Sequence, residues 1–146
     1  MTTPVSIIVG LEDYIATCPV LKANAPLYVN YLGVEPEQYS IVPLPGEGVI
    51  EWYLDDGSQR VFPFALQYAS STSDDLARLV ATGFSEALSD WFELQTNRKN
   101  LPTMPTGKTP FSIEATGSGY LYMEGQSNTG IYQIQCKLTY DQVPAV

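Results

Sequence analysis

The sequence predicts an α+β fold, a mainly antiparallel sheet with two helices packed on one face. Three observations carry that prediction. A long central segment repeats apolar residues at helical spacing, the segments on either side alternate at strand spacing, and Gly- and Pro-containing turns punctuate the alternation. At 146 residues the chain, taken as one domain over 1–146, can bury a real core without a disulfide or metal staple.

The opening segment, Val5 to Cys18, reads as a helix. Ile8, Leu11 and Ile15 share one face, Glu12 and Asp13 take the other, Pro4 suits the first turn and Pro19 ends it. Gly10 is an unfavourable residue in its middle. Leu27–Leu32 and Tyr39–Val42 read as short strands, and the Pro43–Gly48 stretch as a loop. Val49 to Gln67 reads as a long hairpin turning at Asp56-Gly57. On its second arm Phe62, Phe64, Leu66 and Tyr68 share a face. Pro63 cannot donate to a ladder, so that arm is expected at an edge or bulged.

Thr72 to Asn97 is the clearest helix. Thr72 or Ser73 can cap it, with Asp74 and Asp75 in its first turn. Leu76, Leu79, Val80, Gly83, Phe84, Ala87, Leu88, Trp91 and Phe92 make its apolar face, which assigns Trp91 and Phe92 to the core. Arg98 and Lys99 follow at the end where the helix dipole favours cations. Asn100 to Pro110 reads as a long extended loop. Strands follow at Phe111–Ala115, with Phe111, Ile113 and Ala115 on one face, and at Tyr120–Met123, separated by a Gly117-Ser118-Gly119 turn. After a polar turn over Gly125–Gly130, Ile131–Tyr140 alternates cleanly, with Tyr132, Ile134, Cys136, Leu138 and Tyr140 on the buried face. Val143–Val146 reads as a loose tail.

Composition limits function. There is no histidine, which removes the usual general base near neutral pH, the commonest metal ligand and the Ser-His and Cys-His nucleophile pairs. The carboxylate pairs Glu12-Asp13, Asp55-Asp56 and Asp74-Asp75 sit at a helix face, a hairpin turn and a helix start, where solvation and capping account for them. Gly107-Lys108-Thr109 resembles the end of a phosphate-binding loop but lacks the upstream glycine, and Pro110 follows it. Cys18 and Cys136 lie among apolar residues and read as buried thiols. No catalytic, cofactor or metal residue is expected. The net charge of −9, from 16 acidic and 7 basic residues, argues against tight binding to nucleic acid. No apolar run is long enough to span a membrane, and Met1–Ile7 lacks the basic start of a leader, so the chain is expected in the cytoplasm until it assembles.

Several segments, in order, resemble one phage family. They are Ile7-Ile8-Val9-Gly10-Leu11-Glu12-Asp13-Tyr14-Ile15 with Cys18-Pro19, then Trp91-Phe92-Glu93-Leu94-Gln95 with Asn100-Leu101-Pro102. Gly107-Lys108-Thr109-Pro110, Ile113-Glu114 and Gly119-Tyr120-Leu121 follow, and Tyr132-Gln133-Ile134-Gln135-Cys136 with Leu138 and Tyr140 closes the series. Together they are similar to the siphophage tail terminator or minor capsid family and cover nearly the whole chain. Lys99 departs from the pattern, in which a glycine often precedes Asn-Leu-Pro. The resemblance implies a structural virion protein of the tail and head–tail interface. Such a protein forms a homo-hexameric ring that caps the tail tube, contacts the tube protein and the head–tail connector, and lets DNA pass without specific binding.

A head-to-tail ring requires two different patches on each subunit. The Val49–Gln67 hairpin and the Asn100–Pro110 loop are the candidate suppliers. Trp52 lies in a strand with apolar residues on both faces, which either a neighbouring subunit or simple burial explains. Arg60, Arg98, Lys99 and Lys108 are candidate partners for acidic groups of a neighbour, or ordinary solvated charges. Rival readings are another head–tail completion protein, a tail tube subunit, a small hydrolase or transferase, and a host-modulating binding module. The strands read as short, which favours a terminator over a tube subunit.

Overall fold

The computed structural model describes residues 3–21, 25–30, 38–46, 48–71, 75–117, 120–124 and 129–144. The elements run α1 (Ile7–Ile15), β1 (Leu27–Val29), β2 (Gln38–Pro43), β3 (Val49–Trp52), β4 (Ser58–Ser71), α2 (Asp75–Asn97), β5 (Lys108–Ala115), β6 (Tyr120–Glu124) and β7 (Thr129–Gln142). This is the expected α+β fold. The seven-stranded sheet has the order β1-β2-β4-β7-β5, with β3 beside β4 and β6 beside β7.

A ribbon of β4 and β7, each 14 residues long, forms the spine, paired antiparallel from Ser58↔Gln142 to Ser71↔Thr129. Each spine strand carries two shorter strands end to end along its other edge, β2 and β3 on β4, β6 and β5 on β7. Among the described residues, only β1 runs parallel to its neighbour, β2. The expectation of short strands is therefore corrected for the spine. Pairing continues past Gln67 to Ser71 in β4, and past both ends of Ile131–Tyr140 in β7, from Thr129 to Gln142.

Pro63 is also corrected. It sits in a central strand, opposite Lys137, with no bulge in the β4–β7 register. In an antiparallel strand a residue's N and C=O face the same side. The Pro63 carbonyl accepts from Leu44 N at 3.0 Å, and the Val61 N–H donates to Gly48 O at 2.7 Å. The missing Pro63 donor thus points at the loop between β2 and β3, where no ladder runs, and the β7 side loses nothing.

The core lies between the sheet and the helices. Alternation puts Phe64, Leu66 and Tyr68 of β4 and Tyr132, Ile134, Cys136 and Leu138 of β7 on the helix side, all buried. Tyr39 stacks on Tyr68 at 4.7 Å and 11°, and Phe84 of α2 closes on both rings at 5.5 and 5.3 Å. Fully burying each such large side chain contributes about 1.5–3 kcal/mol. β7 does not bury one face alone, because Gln133 and Thr139 on the opposite face are buried too. They lie on a central strand shielded by both neighbours, and the Gln67 amide donates to Gln133 Oε1 at 2.8 Å.

Helix α1 is shorter than the sequence implied. Ser6, not the region of Pro4, is its N-cap, with Ser6 Oγ accepting from Val9 N at 3.4 Å. Leu11 and Ile15 are fully buried, and Tyr14 meets Trp91 of α2 at 5.2 Å. Gly10 has a specific cause: a Cβ there would overlap the carbonyl oxygen of Thr103. The close approach of α1 to the 98–107 loop demands glycine. The Tyr14 hydroxyl donates to Asn100 O at 3.0 Å across the same seam.

For α2, Thr72, Ser73 and Asp74 lie outside the described residues, as do the side chains of Leu76, Leu79 and Val80. Downstream, Phe84, Leu88 and Phe92 are buried, but Gly83 and Ala87, assigned to the apolar face, are exposed. Buried Gln95 extends the face instead, its side-chain oxygen accepting from Asn100 Nδ2 at 2.6 Å. The helix ends in a Schellman motif, with Asn100 N donating to Gln95 O and Lys99 N to Thr96 O. Lys99 occupies the left-handed position at φ 58°. That conformation is the reason a glycine suits this point of the chain.

The loop expected over Asn100–Pro110 is shorter and points inward. Pro102 and Met104 are buried in the core, and β5 begins at Lys108 and includes Pro110. A register shift between Pro110 and Ser112 turns Phe111 outward, to 60% exposure, so it does not share the buried face of Ile113. Of the strand expected at Leu27–Leu32, Leu27–Val29 is observed, and 31–37 lies outside the described residues. So do Ser118, Gly119 and 125–128 of the expected turns, while Thr129 and Gly130 open β7.

Candidate functional site

The face that carries the core continues toward the Ser58/Gln142 end of the spine. Register alone assembles a groove there. Arg60 pairs with Tyr140, and Ser58 with Gln142. Lys108 of β5 pairs with Gln142 from the other side, and Trp52 of β3 pairs with Ser58. Because alternate residues share a face, Trp52, Arg60, Lys108, Tyr140 and Gln142 all project to one side. Trp52, Arg60, Lys108 and Gln142, with Asp56 and Val143, enclose an open groove of about 470 Å³.

Both cations lie against aromatic rings. The Arg60 guanidinium carbon is 5.8 Å from the centre of the Trp52 ring, and Lys108 Nζ is 5.7 Å from that of Tyr140. Arg60 Nε donates to Ser58 Oγ at 2.9 Å, and the Lys108 ammonium donates to the Gln142 side-chain oxygen. These fixed partners are neutral, and Asp56 is the carboxylate among the groove's lining residues. Burial raises the Tyr140 pKa, and the Arg60 charge partly opposes that rise.

The hairpin beside the groove is unusually apolar for its exposure. Trp52 is 64% exposed, Ile50 56%, and Leu54 projects fully into solvent. Its turn falls at Asp56-Gly57, as expected. Tyr53 O accepts from Asp56 N, Asp56 itself adopts the left-handed conformation at φ 68°, and Gly57 N–H donates to Asp55 Oδ1 at 2.9 Å. This makes a three-residue loop in which Asp55 caps the turn, the local role expected for that carboxylate pair. On the opposite face the Tyr53 hydroxyl donates to Asp141 Oδ1 at 2.7 Å, which pushes its pKa up to about 12.

Of the sequence-derived contact candidates, Trp52, Arg60 and Lys108 converge on this groove. Arg98 and Lys99 do not: they are exposed beyond the end of α2. Sequence reading missed Gln142, although extending the β7 alternation by two residues reaches it. It also assigned Tyr140 only to the core, and it grouped Ile50 and Leu54 with Trp52 as one strand face that a neighbouring subunit or simple burial would cover.

The remaining clefts hold less chemistry. One of about 410 Å³ between α1 and the 100–103 segment contains Tyr14, whose hydroxyl is already committed to Asn100. Burial raises the pKa of Tyr14, with a lesser contribution from Cys18. Both Cys18 and Cys136 are buried and unpaired, and burial pushes their thiol pKa values up, as fits core residues. Among the described residues no cluster of three or more acidic or cysteine side chains is arranged to hold a metal ion, and no helix is long and apolar enough to cross a membrane. No protein-family model matches the chain, and no curated protein matches its sequence.

Proposed function

We propose that this chain is a structural subunit of a tailed-phage particle, a tail-terminator-like protein that assembles into a ring at the head–tail interface, and that it is not an enzyme. The observation that carries the reading is the β3–β4 hairpin, which holds Ile50, Trp52 and Leu54 in solvent beside a cationic groove. Exposed apolar area of this kind is stabilised when another protein covers it. The ordered family resemblance supplies the identity of the assembly. A ring capping the tail tube would contact the tube protein on one side and the connector on the other. The net charge of −9 suits a channel that DNA traverses without adhering.

The second reading, a tail tube subunit, has a specific observation in its favour. β4 and β7 are long enough, at 14 residues each, to contribute to a continuous barrel wall. Electron microscopy of purified particles with antibody labelling tests both. A single labelled ring at the head–tail joint supports the terminator. Label repeated along the tail supports the tube subunit. Absence from the particle, with a strictly monomeric protein, removes the structural reading altogether.

A further inference from the structure

The cationic groove has a counterpart on the same chain. Outside the buried stripe of α2, Glu86, Asp90 and Glu93 recur at intervals of four and three and are all exposed on the opposite face of the helix. Exposed Ala87 and Leu94 lie along one side of this acidic line, Leu94 at 42%. The groove offers the complement, with Arg60 and Lys108 held on aromatic rings and Trp52 and Leu54 exposed alongside. Among the described residues neither Arg60 nor Lys108 has a carboxylate partner within its own chain. A free small anion would use the charges and leave the hairpin's apolar side chains wet. A helix carrying carboxylates with apolar residues beside them uses both.

We infer that the Trp52–Arg60–Lys108 groove of one copy receives the outward acidic face of α2, at Glu86, Asp90 and Glu93, from a second copy. The contact is heterologous, since groove and helix are different patches, so it propagates around a closed ring or along a filament. It rests on the structural-subunit reading and gives that reading its two faces.

A charge-swap complementation tests the pairing. One variant carries Arg60→Glu with Lys108→Glu, and the other carries Glu86→Lys, Asp90→Lys and Glu93→Lys. Association of each, and of their equimolar mixture, is followed by sedimentation over a wide concentration range. Each variant alone should associate at least about tenfold more weakly than the original chain, from like-charge contact. The mixture should recover association, because each reversed patch meets its reversed complement. Circular dichroism checks folding, and Arg60→Gln with Lys108→Gln replaces the first variant if the glutamates unfold it.

Association of either variant as tight as that of the original chain, or a mixture of folded variants no tighter than its parts, overturns the pairing. A ring that forms regardless of both variant sets overturns this pairing and leaves the ring reading standing. Swap-sensitive filaments keep the pairing and remove the closed ring. An original chain that stays monomeric at every concentration and is absent from particles overturns both.

Discussion

The two ends of the β4–β7 spine are built from the same alternation but finished differently. At the Ser71/Thr129 end the helix-side face meets α2, and Tyr39, Tyr68 and Phe84 close into a packed aromatic cluster. At the Ser58/Gln142 end the corresponding positions hold Arg60, Lys108 and Gln142, and the aromatic Trp52 remains exposed. The difference is one of partners within the chain. The first end satisfies its apolar surface internally. The second keeps cations and apolar side chains together in solvent, where burial has to come from outside.

The two ends should respond to truncation very differently. Phe84→Ala removes the ring that closes the aromatic cluster and should cost about 3–5 kcal/mol by chemical denaturation. A loss below about 1 kcal/mol would show that the closed end is less packed than its ring distances imply. Thr96→Val tests how firmly α2 is seated on the sheet. The Thr96 hydroxyl accepts from Ile113 N at 3.1 Å and donates to Ile113 O at 2.9 Å, occupying the outer edge of β5 as a strand would. Removing it leaves both backbone groups without that partner, so the denaturation midpoint should fall by the equivalent of about 1–3 kcal/mol.

At the open end the expected effect on the folded monomer is small. Trp52→Ala combined with Leu54→Ala should change stability by less than about 0.5 kcal/mol per site, since both side chains are largely exposed. Self-association should weaken in the same protein. A large stability loss with unchanged association would invert the comparison between the two ends. The smallest effect concerns Tyr53. Its phenol donates to Asp141 in the folded chain and its pKa is raised to about 12. The bond's contribution is therefore complete below the ordinary tyrosine value near 10 and is lost as pH rises through about 12. The ultraviolet titration difference between the original chain and Tyr53→Phe should show one phenol ionising near the upper value. A difference centred near 10 would mean that the hydrogen bond is not formed in solution.

Much of the spine was legible in the sequence. The Tyr132–Tyr140 alternation, the Phe84–Leu88–Phe92 stripe and the position of the hairpin all follow from local periodicity, and the structure places them as expected. What local pattern could not give were contacts made at long range. Gly10 reads as a weakness in a helix until Thr103 is placed against it. Met104 and Pro102 sit in a segment without periodicity, so nothing local marks them as core. Gly83 and Ala87 fit the apolar spacing of α2, yet both positions fall at its exposed border. The groove was half legible. Trp52, Arg60 and Lys108 were each singled out, but from segments far apart in the chain, and only the register of β3, β4, β5 and β7 brings them together.

Pro63 has a consequence for how the sheet reaches its one arrangement. A strand as regular as β4 invites slippage by two residues, which would keep every side chain on its proper face. Such a slide would carry Pro63 from the gap between β2 and β3 to a point opposite a paired backbone carbonyl, and that acceptor would lose its donor at a cost of about 1–3 kcal/mol. The proline therefore acts as a register key. It fits the native alignment at no cost and taxes the neighbouring ones, steering β4 past the misalignments with β2 and β3 that its own regularity makes available.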